Sequence, residues 1–423
     1  MEVIAYTRFM PKFSFFSTVL FLALAASLFA DNWPSWRGPN DNGNAADGKF
    51  PVKLADEAKW AWRVALPGKG CSTPIVWEDH IVLTAPVEGK DALLAYDWNG
   101  KKRWQAVFGK EKPGKHRNGS GSNSSAVTDG KAFFVFFKSK TLAAVSFEGK
   151  VLWKQDLSTY GRDTLYWDFG TSPVLTEKHV VMALMRERNS WLVAFDKRTG
   201  ELAWKTERNY KTPREGDHSY STPIVTKQGG REALLLWGAE RFTAHDAANG
   251  KILWSCAGFN PQKRNNWVVV SSFVKVDNMA VVPYGRGSKL AGIKLGGKGD
   301  VTDSHRAWET DASSFVPTPA AHDGRVYTVR DRGEVLCTNP KTGETIWKGQ
   351  FPKDRASYYS SPSIGDGKIY SAREDGTVFV AQIDGGFKLL SENDMGERII
   401  ASPVPVNSRL LLRGEKHLLC IKP

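Results

Sequence analysis

Cysteine is scarce in this 423-residue chain: there are four, Cys71, Cys256, Cys337 and Cys420. None sits in a CxxC pair or beside a histidine cluster, which argues against a zinc site. Four cysteines allow three pairings, and the sequence does not choose among them. Long apolar runs are missing beyond the first 30 residues. The one present, Phe13 to Leu28, falls short of the roughly 20 residues a membrane-spanning helix needs. Arg8 and Lys12 precede it and Ala30 closes it, a secretory-leader pattern. The reading is therefore an exported chain without a transmembrane anchor once residues 1–30 are removed, and no cysteine near Asp31 offers a lipidation site.

Acidic residues are also in deficit, 45 against 58 Lys and Arg, for a formal charge of +13. The basic residues are scattered along the chain, which describes a solvated surface and excludes a nucleic-acid stripe. Catalytic signatures are lacking. Ser120 and Ser122 lie in a Gly/Ser run without the Gly-x-Ser-x-Gly elbow of a nucleophile. Tyr284 to Gly287 and Gly296 to Gly299 lack phosphate-loop spacing and read as mobile, the second within a long insertion from Gly292 to Arg306. Asn40 to Gly48 is polar but lacks calcium-loop spacing, and reads as a surface loop.

What the chain has is a repeat. A Ser/Thr tripeptide usually ending in Pro recurs eight times, at Ser72–Pro74, Ser124–Ala126, Thr171–Pro173, Ser221–Pro223, Ser271–Phe273, Pro317–Pro319, Ser360–Pro362 and Ala401–Pro403. Six copies lead to a Gly-containing turn and a Trp: Trp104, Trp153, Trp204, Trp254, Trp308 and Trp347. Leu390 takes the place of Trp in the seventh copy, and the eighth stops at Pro423 with no outer strand. Short alternating strands such as Ala132–Phe137 and Arg325–Val329, separated by Asp-Gly or Asn-Gly turns, give four antiparallel strands per repeat. That predicts an all-β, eight-bladed β-propeller. The strand missing at the C-terminus is supplied by Lys59–Val64, which closes the ring. The expected organisation is a leader (1–30), a lead-in (31–58) and one propeller (59–423), acting as a monomer. Cys337 and Cys420 fall where other repeats have Ala95 and Ala244, and read as small buried core residues.

The pattern Ser-x-Pro followed by Ala-x-Asp…Gly-Lys-x-x-Trp resembles the tryptophan-docking repeat of the quinoprotein (PQQ-like) propeller superfamily over residues 33–423. Trp33 to Pro39 is similar to the lead-in of exported bacterial members. The resemblance implies two kinds of function: non-catalytic platforms, such as the propeller lipoprotein of the outer-membrane β-barrel assembly machinery, and alcohol or sugar dehydrogenases holding pyrroloquinoline quinone (PQQ) and calcium on the axis. This chain lacks the adjacent cysteine pair of the dehydrogenases and spends nearly all its length on blades.

Ligands of propellers bind at the mouth of the channel, on the segments preceding each innermost strand. Here those segments hold His116, Arg117, Tyr166, Trp167, Asp168, His218, Tyr220, Arg264, Trp267, Arg355, Tyr358, Tyr359, Glu397 and Arg398. Trp167, Arg264, Trp267, Arg355, Tyr358, Tyr359 and Arg398 are the candidate ligand or cofactor contacts, suited to an anion by stacking and charge-assisted hydrogen bonds. Asp168, with His218, would be the general base of an enzyme. The sequence names no metal ligands. The reading is an exported, non-catalytic platform for an envelope protein, or for an anionic small molecule or glycan, without a resident cofactor. The alternative is a PQQ- and calcium-dependent oxidoreductase.

Overall fold

A computed structural model describes residues 1–2 and 31–423; the leader assigned to residues 1–30 lies almost wholly outside the described residues. Eight antiparallel sheets follow one another around an axis, each with four meandering strands. Blade 1 runs through Ile75–Trp77, His80–Val87, Lys90–Tyr96 and Lys102–Lys110. Blades 2 to 7 begin at Val127, Val174, Ile224, Val274, Ala320 and Ser363. Blade 8 has three strands from the C-terminus and a fourth, Trp60–Ala65, from the N-terminus, paired Trp62 to Cys420 and Val64 to Leu418. The closing strand is thus the Trp-bearing one expected from the sequence.

The repeated tripeptide has a role that its proline does not explain. In seven of the eight blade junctions, the backbone N–H of its middle residue donates to the hydroxyl of another tripeptide's middle residue. Thr73 donates to Ser125 at 2.9 Å, Ser125 to Ser172 at 3.0 Å and Ser172 to Thr222 at 3.0 Å. Thr222 donates to Ser272, Ser272 to Thr318 and Thr318 to Ser361, at 2.8 to 2.9 Å. Ser402 closes the circle onto Thr73 at 3.2 Å. These innermost strands leave one edge facing the axis, and a hydroxyl bridge satisfies N–H groups that no neighbouring strand can reach.

Around the circumference, five of the Trp residues, Trp62, Trp104, Trp153, Trp204 and Trp308, donate to a carbonyl of the next blade, whereas Trp254 donates to Gln228 of its own blade. The Trp104 indole N–H donates to the Phe147 carbonyl at 2.7 Å, and its ring covers Gly149, where a Cβ would come within 2.9 Å. Trp62 does the same to blade 1, donating to the Trp98 carbonyl and covering Gly100. Within its own sheet the Trp faces a small residue: Ala95 opposite Trp104, Cys337 opposite Trp347, Cys420 opposite Trp62. This explains why the two cysteines share the alanine position. Both are fully buried, and burial pushes their thiols up to about 11. All four cysteines are free.

Blade 4 corrects the mobile-insertion reading. Gly299–Asp300 adds a fifth strand, parallel to Trp254 and Ser255, and a single turn Thr302–His305 follows. Val301 is buried and its N–H donates to the Ser255 carbonyl at 2.9 Å, which pins the segment down.

The lead-in crosses one end of the axis. Trp33 exchanges backbone hydrogen bonds with Val76 of blade 1, and Thr128 of blade 2 donates to the Pro34 carbonyl. On the far side, Ala321 and Ile364 of blades 6 and 7 donate to the carbonyls of Asn42 and Gly43. Arg37, fully buried between, donates to the carbonyls of Pro362 at 2.8 Å and Pro319 at 3.3 Å. Burial lowers its guanidinium to about 9. The channel is therefore stoppered at this end.

Candidate functional site

The opposite end is open. A cavity of about 310 Å³ occupies the axis, floored by Trp36 of the lead-in. Its lower wall is the hydroxyl ring, through Thr73, Ser125, Ser172, Thr318, Ser361 and Ser402. Its lip is made by the segments ahead of each tripeptide: His116, Asn118, Trp167, Asp168, Tyr220, Phe315 and Tyr359.

Of the seven ligand contacts expected from sequence, Trp167 and Tyr359 line this cavity, as does the candidate base Asp168, and the other five stand elsewhere. Trp167 is 45% exposed, and the His116 ring meets its face edge-on at 4.9 Å. Tyr358 points the other way, fully buried and stacked on Phe351 at 6.0 Å. Neighbours in an extended segment face opposite sides, so only one of the two tyrosines can reach the axis. Trp267 packs against the blade 4 and 5 core and donates to the Phe259 carbonyl at 2.8 Å. Arg264 is exposed over the Trp267 ring, and Arg355 is exposed on its loop. Arg398 is engaged on the rim, with Glu374 at 3.0 Å, Glu415 at 3.5 Å and the Asn118 side chain.

Asp168 and His218 do not form an acid/base pair in the cavity. The Asp168 carboxylate is buried against Lys138, Nζ to Oδ1 2.5 Å, and accepts the backbone N–H of Lys115 at 2.9 Å. It also packs on Gly119, leaving no room there for a Cβ. A carboxylate so held orders the His116 loop, and its lone pairs point into the protein. His218 is buried outside the cavity lining, beneath Tyr166, whose ring meets it edge-on at 5.1 Å. Burial holds its imidazole below the usual range, outweighing the pull of Asp217 and Glu215.

Residues that the sequence did not single out complete the cavity: Trp36, Phe315 and Cys71. The Cys71 thiol approaches the Asn118 carbonyl at 3.4 Å, and burial raises it above the ordinary thiol range. Lys138 was equally unmarked. It sits 30 positions from its partner in sequence, and only the stacking of blades 2 and 3 brings the two together.

The dehydrogenases that the repeat resembles hold calcium beside PQQ on the axis, and the residues present here do not suit that metal. A calcium ion needs six to eight oxygen ligands with carboxylates among them. Among the described residues the one carboxylate lining the cavity, Asp168, already carries the Lys138 ammonium at 2.5 Å. Among the described residues no group of three or more His, Cys, Asp or Glu side chains converges. The donor set does not fit the metal.

Residues 52–181, 119–349 and 298–407 match, in three overlapping registers, the profile of the family described as outer membrane protein assembly factor BamB. The chain belongs to this family. No curated protein matches it closely enough to count. Among solved structures, BamB from Moraxella catarrhalis aligns with 15% identity and a TM-score of 0.64, over 86% of this chain and 99% of that one. The quinohemoprotein alcohol dehydrogenase from Comamonas testosteroni aligns with 12% identity and a TM-score of 0.64, over 94% and 81%. A computationally designed protein, Ika8, aligns at 12% identity and a TM-score of 0.57, over 85% and 98%. At these identities the likeness is one of fold, shared by a BamB, a dehydrogenase and a designed protein alike. Among the described residues no helix is long and apolar enough to cross a membrane.

Proposed function

We propose that this BamB-family chain is an exported, non-catalytic propeller that binds a partner in the cell envelope through the open mouth of its channel. The observation that carries this reading is the Asp168–Lys138 pair. The one carboxylate that lines the cavity among the described residues is paired with a buried lysine and turned toward the backbone of Lys115, which suits it neither as a base nor as a cation ligand. The surrounding wall offers aromatic faces, hydroxyls and a carboxamide, which are groups for recognition. The described role of the family, in assembling other proteins, accords with a platform. Export rests on the basic start, the Phe13 to Leu28 run and Ala30.

Dye-linked oxidation tests the reading. The purified protein, incubated with PQQ and calcium and offered primary alcohols and aldoses, is expected to give no turnover above a protein-free control. Turnover that disappears in Asp168→Asn would replace this reading with the quinone-dependent oxidoreductase.

A further inference from the structure

The loops around the mouth sort their charges by sign. Arg214, Arg264 and Arg286 are exposed, and each lies over an aromatic ring: Tyr166 at 5.8 Å, Trp267 at 5.2 Å and Phe315 at 4.5 Å. None of the three is paired with a carboxylate among the described residues, within the 4.0 Å of an ion pair. Most carboxylates of the same region are withdrawn, the exception being Glu187, which is exposed and lies 3.7 Å from Arg188. Asp168, Glu215, Asp217 and Glu374 are all buried. Asp217 accepts the Arg188 backbone N–H at 3.0 Å, and Glu374 is held by Arg398 and Asn118. An approaching ligand therefore meets guanidinium groups at the rim and aromatic rings inside.

The Nε–H of Arg214 donates to the Tyr166 hydroxyl at 3.3 Å and that of Arg264 to the Gln262 carboxamide at 2.6 Å, so it is the pair of terminal NH2 groups that is left to match a carboxylate in a two-pronged hydrogen bond. The same stacking covers ring faces on which a sugar would lie, which favours a peptide over a glycan. Inside the rim, Trp36, Trp167, Tyr220, Phe315 and Tyr359 enclose a largely apolar space of about 310 Å³, room for one bulky side chain. The geometry points to an acidic polypeptide segment as the ligand of the mouth, its carboxylates on Arg214, Arg264 and Arg286 and one large apolar side chain in the axial cavity. This assignment rests on the reading of the mouth as a binding site, and names its ligand.

Fluorescence anisotropy on the purified full-length protein tests it, with three labelled peptides as probes. One carries Asp and Glu around a central Trp, the second has Lys in place of every acid, and the third has Gly in place of the Trp. The acidic Trp peptide is expected to bind at least about tenfold more tightly than either of the others, and to weaken as salt rises from about 50 to 300 mM. The double variant Arg214→Gln, Arg286→Gln is expected to lose about tenfold or more while unfolding at the same temperature as the parent. Equal binding of the acidic and basic peptides, or no saturable binding, overturns the assignment. So does tighter, arginine-dependent binding of an oligogalacturonate, which would make the ligand a glycan. Quinone-dependent turnover would overturn the binding-site reading itself, whereas peptide failure without turnover removes only this assignment.

Discussion

Replacing Thr222 by Val tests the hydroxyl ring without disturbing shape. Valine keeps the volume and the branched outline of threonine and removes only the oxygen. That oxygen accepts the Ser172 N–H at 3.0 Å, in a position where both residues are buried. The buried donor is left with no protein partner, which costs about 1–3 kcal/mol. The added apolar character returns a fraction of this, so a net loss of about 1–2 kcal/mol is expected. Thr222→Ser keeps the acceptor and deletes one methyl, a loss of about 0.8 kcal/mol. The two variants thus separate the ring from simple hydrophobicity, which ranks Val above Ser, while the ring ranks Ser above Val. Guanidinium unfolding at equilibrium, followed by tryptophan fluorescence, gives both values. A Val variant as stable as the Ser variant, or more so, refutes the argument that these hydroxyls tie the blades together.

Three further outcomes follow from the same geometry. Asp168→Asn or Lys138→Met alone should destabilise by about 3–5 kcal/mol, since each strands a buried polar partner, while the double variant Lys138→Met, Asp168→Leu recovers most of the loss; denaturant midpoints check this. Gly149→Ala should cost about 2–4 kcal/mol, because its φ of +84° disfavours a side chain and the Trp104 ring leaves no space. Gly89→Ala, at φ +71° but in open space, should cost only about 1 kcal/mol in the same assay. His245 is buried on the Gly250 carbonyl and Thr243 hydroxyl, and burial lowers it to about 4. Between about pH 6.5 and 4 the unfolded chain takes up a proton that folded His245 refuses, so its contribution weakens folding as pH falls, by up to about 1.4 kcal/mol per pH unit. Asp91, raised to about 6 by burial, works in the opposite direction over the same window. The readout is therefore the stability of the parent minus that of His245→Gln, a difference that should fall as pH drops from about 6.5 to 4 while the Asp91 contribution cancels.

The ring of eight was legible because its parts are local. The tripeptide, the turn and the Trp each lie within one repeat, and Trp60–Ala65 carried its own Trp pattern to mark it as the missing strand. The hydroxyl bridges were not read, although the Ser or Thr at each middle position was visible, because the proline offered a sufficient local reason for an edge strand. The cavity was only half legible. The sequence located the right segments, but whether Tyr358 or Tyr359 faces the axis depends on the phase of an extended strand, which a single pair of tyrosines does not set. Lys138 belongs to a different blade from Asp168, and the lead-in that carries Trp36 crosses to blades 6 and 7, more than 270 residues away in sequence. Those relations come from ring closure, and no spacing rule encodes them.

The central claim, that the mouth recognises a partner and holds no catalytic metal, is tested most directly by calorimetric titration of calcium into the protein with PQQ present. The account predicts no saturable calcium uptake, because the Asp168 carboxylate faces the Lys138 ammonium. Stoichiometric uptake that vanishes in Asp168→Asn would contradict it.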